Sequence, residues 1–470
     1  RDEQGRTPGG PLKRIILKPG EEDRIRRGHP WVYGNEVERV LKPIPGGFAP
    51  ISPEELEPGE AADIETPQKT YLGRGFVNPR SKIIARIYSP SKEGADIGFF
   101  KRRIREAVQR RIAGGYDLSR ESARMVFGEA DFLPGLIVDR FAGWPLGELK
   151  TAPAAPDFDE APQVLGPPAS WLSVQFLCYA VDLRRELILD ALEDVLAPGF
   201  LGSGLPIGGI IEKSAVPVRD LEGLSPREGL VRGSVPSEGI LIYENRLPFG
   251  VRIGEGQKTG CFLDQKDNRR LAGLYTGGLL NSRSPAAPAS GGPPAGPRVL
   301  DAFSYTGGFG IHAARAGAAE VLCVDSSAAA LEGARTHAAL NGVENRVATL
   351  EEDVFDYLRS AERRRELFDF VILDPPAFAK SRSDLEGALR GYREINLRAL
   401  KLLRKGGLLL SCSCSRALDE GRFRAVIADA AADAERRLHE LDFRRQTGDH
   451  PVLMGYEESL YLKCGIYRVL

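Results

Sequence analysis

Two cysteines separated by one residue, Cys412 and Cys414, close the apolar run GGLLLSCSCS. Upstream, FDFVILDPPAF ends an apolar run on Asp374, Pro375 and Pro376. Earlier still, DAFSYTGGFG runs from Asp301 to Gly310, and Asp325 closes the run VLCVD, with Ser326 after it. Glu352 and Asp353 follow RVATL. Gly307 and Gly308 let a backbone approach a ligand closely where a helix begins. An acid about 20 residues further on accepts hydrogen bonds from ribose hydroxyls. Two prolines after a strand-end aspartate make a stiff loop without N–H groups, which leaves carbonyls to face a site. Such a loop suits a planar base held beside a methyl donor. A strand-end cysteine in the same crevice would add a thiolate nucleophile. Two positions apart on a strand, Cys412 and Cys414 point to one face, and Cys414 lies nearer the carboxyl end.

The elements that must position these residues are legible from periodicity. After Arg298, short apolar runs (RVLDAF, AEVLCVD, RVATLEED, FDFVILDPP, GGLLLSCSCS) alternate with helical stretches. That alternation predicts an α/β, Rossmann-like doubly wound parallel sheet, whose ligands bind beyond the carboxyl ends of its strands. LDFRRQTGDHPV and ESLYLKCGIYRVL close the chain as an expected antiparallel pair. Before it, LKRIILK suits a strand and TYLGRGFVNPRSKIIARIYS alternates as hairpins do, while Glu54–Glu65 is acidic and turn-rich. Phe100, Ile104, Val108 and Ile112 recur at i+4 and predict a helix whose other face carries Lys101, Arg102, Arg103, Arg105, Arg110 and Arg111. An α+β stretch follows, in which GIIEKSAVPVRDLEGL and GILIYENRLPFGVRI read as strand pairs. The Pro/Ala/Gly-rich stretches 151–170 and 281–298 are expected to be surface loops.

With 470 residues, 42% apolar and 27% charged, the chain has the composition of a globular protein of about three domains. No apolar run approaches the roughly 20 residues of a membrane span, and the first residues show no signal-peptide pattern. Six scattered cysteines and five histidines make neither a disulfide framework nor a metal signature, so a reduced, cytoplasmic setting is expected and no metal. The net charge of -1 hides an asymmetry: residues 1–120 carry 23 basic against 17 acidic side chains. The front is therefore the expected polyanion face, and the Arg102, Arg103 and Arg110 helix an expected phosphate contact.

Together LDAFSYTGGFGIHAARAGAAEVLCVDSS, EEDVFDYL, FDFVILDPPAFAKS and GGLLLSCSCS resemble a class I S-adenosylmethionine-dependent methyltransferase. GQKTGCFLDQKDNRRL and the N-terminal RIILKPGEEDRIRRGHPWVYGNEVE sharpen the likeness to the bacterial 23S ribosomal RNA cytosine-C5 methyltransferases. The resemblance implies a PUA-like RNA-binding domain over 12–92 after a tail at 1–11, then a central α+β domain over 93–245. The methyltransferase domain would cover 246–470. It implies S-adenosylmethionine as cofactor and 23S ribosomal RNA, or a large-subunit assembly intermediate, as partner, and it leaves a homodimer open. Tyr305, Gly307 and Gly308 would line the methionine end of the cofactor. Asp325 with Ser326 would hold the ribose, and Asp353 would lie near the adenine amine. Asp374 would sit beside the methyl and the target base, and Lys258, Thr259 and Gly260 would form a lid. Cys414 matches the family's nucleophile, with Cys412 as the alternative. The Asp-Pro loop lacks the second cysteine of many RNA cytosine-C5 methyltransferases, so the base that takes the carbon 5 proton is unassigned and Asp374 is a candidate.

Three other readings compete. A methyltransferase acting on an exocyclic amine, such as guanine N2, shares the fold and loop but needs no thiol. A non-catalytic RNA-binding protein would use the N-terminal domain alone. A nicotinamide enzyme would share the glycines and the ribose acid but not DPPAF. His29, His312 and Cys323 read as packing residues. His450, Tyr392 and Asn396 read as able to reach the site or to pack.

Overall fold

The computed structural model describes residues 10–149, 155–199, 204–254, 261–282, 296–379 and 384–470. Among these residues the chain forms three seven-stranded sheets in succession. The first spans strands Lys13–Leu17 to Ile83–Ser89. Its opening strand pairs in parallel with Ala61–Glu65 and antiparallel with Val37–Ile44. Ala61–Glu65 corrects the expectation of turns at the acidic stretch. Ala62 and Ile64 alternate into the core, while Asp63 and Glu65 are neutralised by Arg74 and Arg14.

The second sheet runs from Ala123–Phe127 to Leu247–Val251 and is covered by helices Ile97–Ala113 and Arg185–Leu196. Phe100, Ile104 and Val108 of the first helix share a core with Ile188 and Leu192 of the second. Asp96 caps the first helix by accepting from the Phe99 amide at 2.8 Å. The charged face of that helix is consumed within the chain. Arg102 pairs with Glu93, Arg103 with Glu93 and Glu106, Arg110 and Arg111 with Asp131, and Lys101 with Asp194. These pairs offset part of the charge expected to meet phosphate, while Arg102 and Arg110 stay 45% and 44% exposed.

Three further local expectations are corrected. Ile207–Lys213 pairs with Glu228–Gly233, and the intervening VRDL is a short helix that starts at Pro217, which cannot donate to a ladder. The hairpin Ile240–Glu244 with Leu247–Val251 turns at Asn245 and Arg246, both with positive φ, and pairs into the second sheet. That sheet therefore continues past position 245. In the stretch 151–170, Phe158, Ala161 and Leu165 pack on Trp144 and Tyr243, and Tyr243 donates to Pro156 O at 2.6 Å. The tail at 1–9 and residues 283–295 of the second Pro-rich stretch lie outside the described residues.

The third sheet has the order Val347–Glu351, Glu320–Asp325, Arg298–Ala302, Phe368–Leu373, Leu403–Ser413, Lys463–Val469, Leu438–Arg444. The first five strands are parallel and the last two antiparallel. Alternate residues face two cores, one holding Val299, Phe370, Leu410 and Cys412, the other Leu300, Val371 and Leu409. Burial on both faces is what makes these strands near-continuous apolar runs. This is the doubly wound architecture expected from the alternation. The two terminal regions also meet: the His29 ring lies 3.4 Å from the Glu458 carboxylate, and Trp31 packs edge-on against Tyr456.

Candidate active site

All five parallel strands end on one edge, and the expected residues gather there. After the first strand the chain doubles back with Phe303, Tyr305 and Gly307 at positive φ. For the two aromatic residues this is a strained conformation, sustained by surrounding bonds. The Tyr305 amide donates to Asp325 Oδ2 at 2.8 Å, and the Gly310 amide to Asp301 Oδ2 at 2.7 Å. A Cβ on Gly307 would stand 3.0 Å from Ala334 Cβ, and one on Gly308 2.7 Å from Arg269 Cδ. The bare backbone is therefore required at this turn. Asp301 is fully buried, and burial pushes its carboxyl well above the usual range. The Gly310 amide opposes this, and the charges of Asp374 and Asp325 reinforce it.

Asp325 is half-buried at its strand end, with Ser326 exposed beside it. Its two oxygens already accept from the Tyr305 and Ser327 amides, which fixes the carboxylate while leaving further lone pairs for hydroxyl donors. Asp353 is exposed and caps helix Val354–Arg363, accepting from Phe355 and Asp356. Between the strand ends Phe303, Phe355 and Phe378 form a triangle of rings 5.8–6.4 Å apart. A carboxylate acceptor, a bare glycine turn and an aromatic wall form a donor set that fits a nucleoside with an amino-acid tail. Lys258, Thr259 and Gly260 lie outside the described residues.

Asp374 opens the Pro-Pro loop. Its Oδ1 accepts from Gln265 Nε2 at 2.9 Å, and Gln265 Oε1 accepts in turn from Asn268 Nδ2 at 2.7 Å. Sequence reasoning did not single out Gln265. Its signal was the i, i+3 pair of amides in DQKDN, which places both on one side of a helical turn.

The two cysteines part company. Cys412 is 0% exposed and registers against Cys464 on the neighbouring strand, and burial drives its thiol well above the ordinary value. Cys414 lies one residue beyond the strand, half-buried, with Sγ 4.0 Å from Pro375 O. Its flanking serines are locked. Ser413 Oγ donates to the Tyr392 hydroxyl at 2.9 Å, and Ser415 Oγ lies 3.0 Å from that hydroxyl while accepting from the Ala379 amide. Tyr392 is fully buried and stacks near Phe378, so it anchors the turn rather than facing a ligand. Asn396 donates to Tyr392 O within the same helix. Lys463 Nζ donates to Ser415 O at 2.7 Å, a role that no local pattern around Lys463 marks.

Two further histidines serve packing and backbone support. His450 is buried against Asp449 and Phe127, and His312 stacks on Phe249 and bonds Gly308 O. Among the described residues no group of three His, Cys, Asp or Glu could hold a metal ion, and no helix is long and apolar enough to cross a membrane.

Comparison with known proteins places the chain in a family. Residues 15–90 match the PUA-like domain family and residues 229–442 match the S-adenosylmethionine-dependent methyltransferase family. The ribosomal RNA large subunit methyltransferase I of Shewanella denitrificans is 37% identical over 462 residues, covering 97% of this chain and 99% of its own. Its counterpart from Aeromonas salmonicida is 36% identical, covering 97% and 98%. A solved structure from Streptococcus mutans, named as a SAM-dependent methyltransferase, shares the fold with TM-score 0.70 at 20% identity, covering 97% of this chain and 100% of its own. The same overlap is found with SMU.776, a methyltransferase solved with SAH. The chain thus carries a PUA-like domain ahead of an S-adenosylmethionine-dependent methyltransferase domain, and it belongs to the family of the ribosomal RNA large subunit methyltransferase I proteins.

Proposed function

We propose that this chain methylates carbon 5 of a cytosine in 23S ribosomal RNA through a covalent adduct with Cys414. Its relatives are named for large-subunit ribosomal RNA, and the PUA-like domain carries exposed Arg26, Arg27, Arg39 and Lys82 that could meet a polyanion. The setting is the cytoplasm, and naked RNA and an assembly intermediate are both candidate forms of the substrate. The observation that carries the chemistry is the half-buried thiol of Cys414 beside the Asp374 loop, with Cys412 walled into the core. A guanine N2 enzyme would have no use for a thiol held there.

Within this proposal Tyr305, Gly307 and Gly308 receive the methionine end of S-adenosylmethionine, Asp325 and Ser326 its ribose, and Asp353 its adenine amine. The bound cofactor supplies an electrophilic sulfonium methyl. The Cys414 thiolate forms a bond to carbon 6 of an unstacked cytosine, which moves electron density onto carbon 5. Carbon 5 would take the methyl group, with S-adenosylhomocysteine as the thioether that leaves, and its proton would then pass to Asp374. The sulfur–carbon 6 bond breaks, which restores the aromatic ring and the thiolate. Gln265 keeps the Asp374 carboxylate turned toward the loop throughout.

The test is methyl transfer to ribosomal RNA fragments, with mass spectrometry of the product nucleosides. 5-Methylcytidine is expected. A methyl group found on an exocyclic guanine amine would overturn the proposal.

A further inference from the structure

A lysine stands buried against the turn that carries the thiol. Lys463 opens the antiparallel strand next to the cysteine strand, registers against Ser413 and is 2% exposed. Lysine is almost never buried so deeply unless something uses or compensates its charge. Its Nζ donates to two backbone carbonyls, Ser415 O at 2.7 Å and Tyr461 O at 2.8 Å. Ser415 directly follows Cys414, so one of these bonds ties the ammonium to the turn that carries the sulfur. An ammonium has three N–H donors, and the two carbonyls take two of them.

We infer that Lys463 is a positioning residue for the methyl transfer, its ammonium holding the Cys414 sulfur in the thiolate form that attacks the base. This rests on Cys414 being the nucleophile. A positive charge beside a thiol favours the thiolate, and the thiol proton goes to solvent while the lysine keeps its own near neutral pH. The same charge assists when the sulfur leaves again as thiolate at the end of the cycle.

The electrostatics of the neighbourhood agree. Burial brings the ammonium down to about 8, opposed first by the charge of the Cys414 sulfur and then by Glu420 and Asp419 at the start of the following helix. On the thiol's other side Tyr392 is pushed up to about 12, chiefly by burial, so it stays a neutral hydroxyl near neutral pH. Among the described residues Arg416, two positions beyond Cys414, is exposed, and Asp374 opens the facing loop.

The experiment is the rate of Cys414 alkylation by iodoacetamide from pH 5 to pH 10 in the full-length protein. Peptide fragmentation separates Cys414 from Cys412, and wild type, Lys463→Arg and Lys463→Gln are compared. The wild-type midpoint is expected below the ordinary thiol value of about 8.5. Lys463→Gln should raise it by about one unit or more and slow methylation about tenfold at pH 7, with partial recovery at pH 9. Lys463→Arg should keep both near wild type. A wild-type midpoint at or above the ordinary value, or an unshifted midpoint in a Lys463→Gln protein with native circular dichroism, would overturn the inference. Should Lys463→Gln fail to fold, the wild-type midpoint decides alone. Alkylation needs no turnover, so it remains informative even if Cys414→Ala proves fully active and the nucleophile assignment falls.

Discussion

Cys414 Sγ lies 4.0 Å from the carbonyl oxygen of Pro375, so the thiol at the end of the fifth parallel strand meets the loop that ends the fourth. A proline there contributes a carbonyl and no competing N–H. The contact places the sulfur one residue from Asp374, and the two residues assigned to the chemistry share one rim.

The first prediction separates the two cysteines. Cys414→Ala should lower methylation by about three orders of magnitude or more, the scale expected when a covalent route is removed. S-adenosylmethionine affinity should be unchanged. Cys412→Ser should keep turnover but lose about 1–3 kcal/mol of stability, because a hydroxyl would be buried without an assured partner. Single-turnover assays and urea melts check both, and full activity of Cys414→Ala would end the covalent mechanism.

Gln265→Ala provides the second. Removing the amide takes one donor from the Asp374 carboxylate and leaves Asn268 Nδ2 only the longer bond to Arg445 O at 3.4 Å, while the glycine turn and Asp325 are untouched. The expected result is a fall of about 10–100-fold in kcat with cofactor affinity held within about twofold, as for groups that act through orientation. Calorimetry beside kinetics separates this from simple unfolding. A loss confined to cofactor binding would assign Gln265 to the cofactor pocket instead.

The third concerns Tyr392→Phe. The hydroxyl bridges the serines on either side of Cys414, and its loss leaves two buried hydroxyls short of a partner. A cost of about 1–3 kcal/mol is expected, and because the slack appears at the thiol turn, kcat should fall as well. Thermal melts and turnover measured on one preparation test this. A destabilised enzyme with wild-type kcat would reduce Tyr392 to a core residue.

How much of this was legible in the sequence depends on distance along the chain. The glycine turn, Asp325, the Asp-Pro-Pro loop and the cysteine strand each lie at the end of a short apolar run. Periodicity plus the rule for parallel sheets therefore places them on one edge before any coordinates are known. Choosing between Cys412 and Cys414 by geometry needed the strand end, since only the position of Ser413 as its last residue frees the second thiol. Gln265 and Lys463 escaped because their partners are 109 and 48 residues away, and nothing local marks an amide or an ammonium as aimed at a distant loop. The pairing of the arginine-rich helix was hidden for a related reason. Its partners Asp131 and Asp194 are brought to it only by folding, so part of a run that looks like surplus charge in one dimension is offset in three.

The last prediction concerns pH and the joint between the first two sheets. Arg86 donates to Glu129 and to Glu222, each at 2.9 Å, and Asn78 adds a bond to Glu222. Burial works to raise the Glu222 carboxyl, but the Arg86 guanidinium outweighs it and the pKa settles below the ordinary value. A carboxylate depressed in the folded state adds stability that is complete above its unfolded pKa, about 4.3 for glutamate. That stability is lost as pH falls through the lower folded value. Glu222→Gln should therefore cost about 3 kcal/mol at pH 7, in line with breaking one arm of a buried ion pair. The gap from wild type should be full at pH 6 and shrink steadily from pH 5 to pH 3, as wild type itself becomes protonated at this site. Urea midpoints of both proteins across that range check the sign, and a gap that stays constant down to pH 3 would show that the charge of Glu222 does not hold the joint.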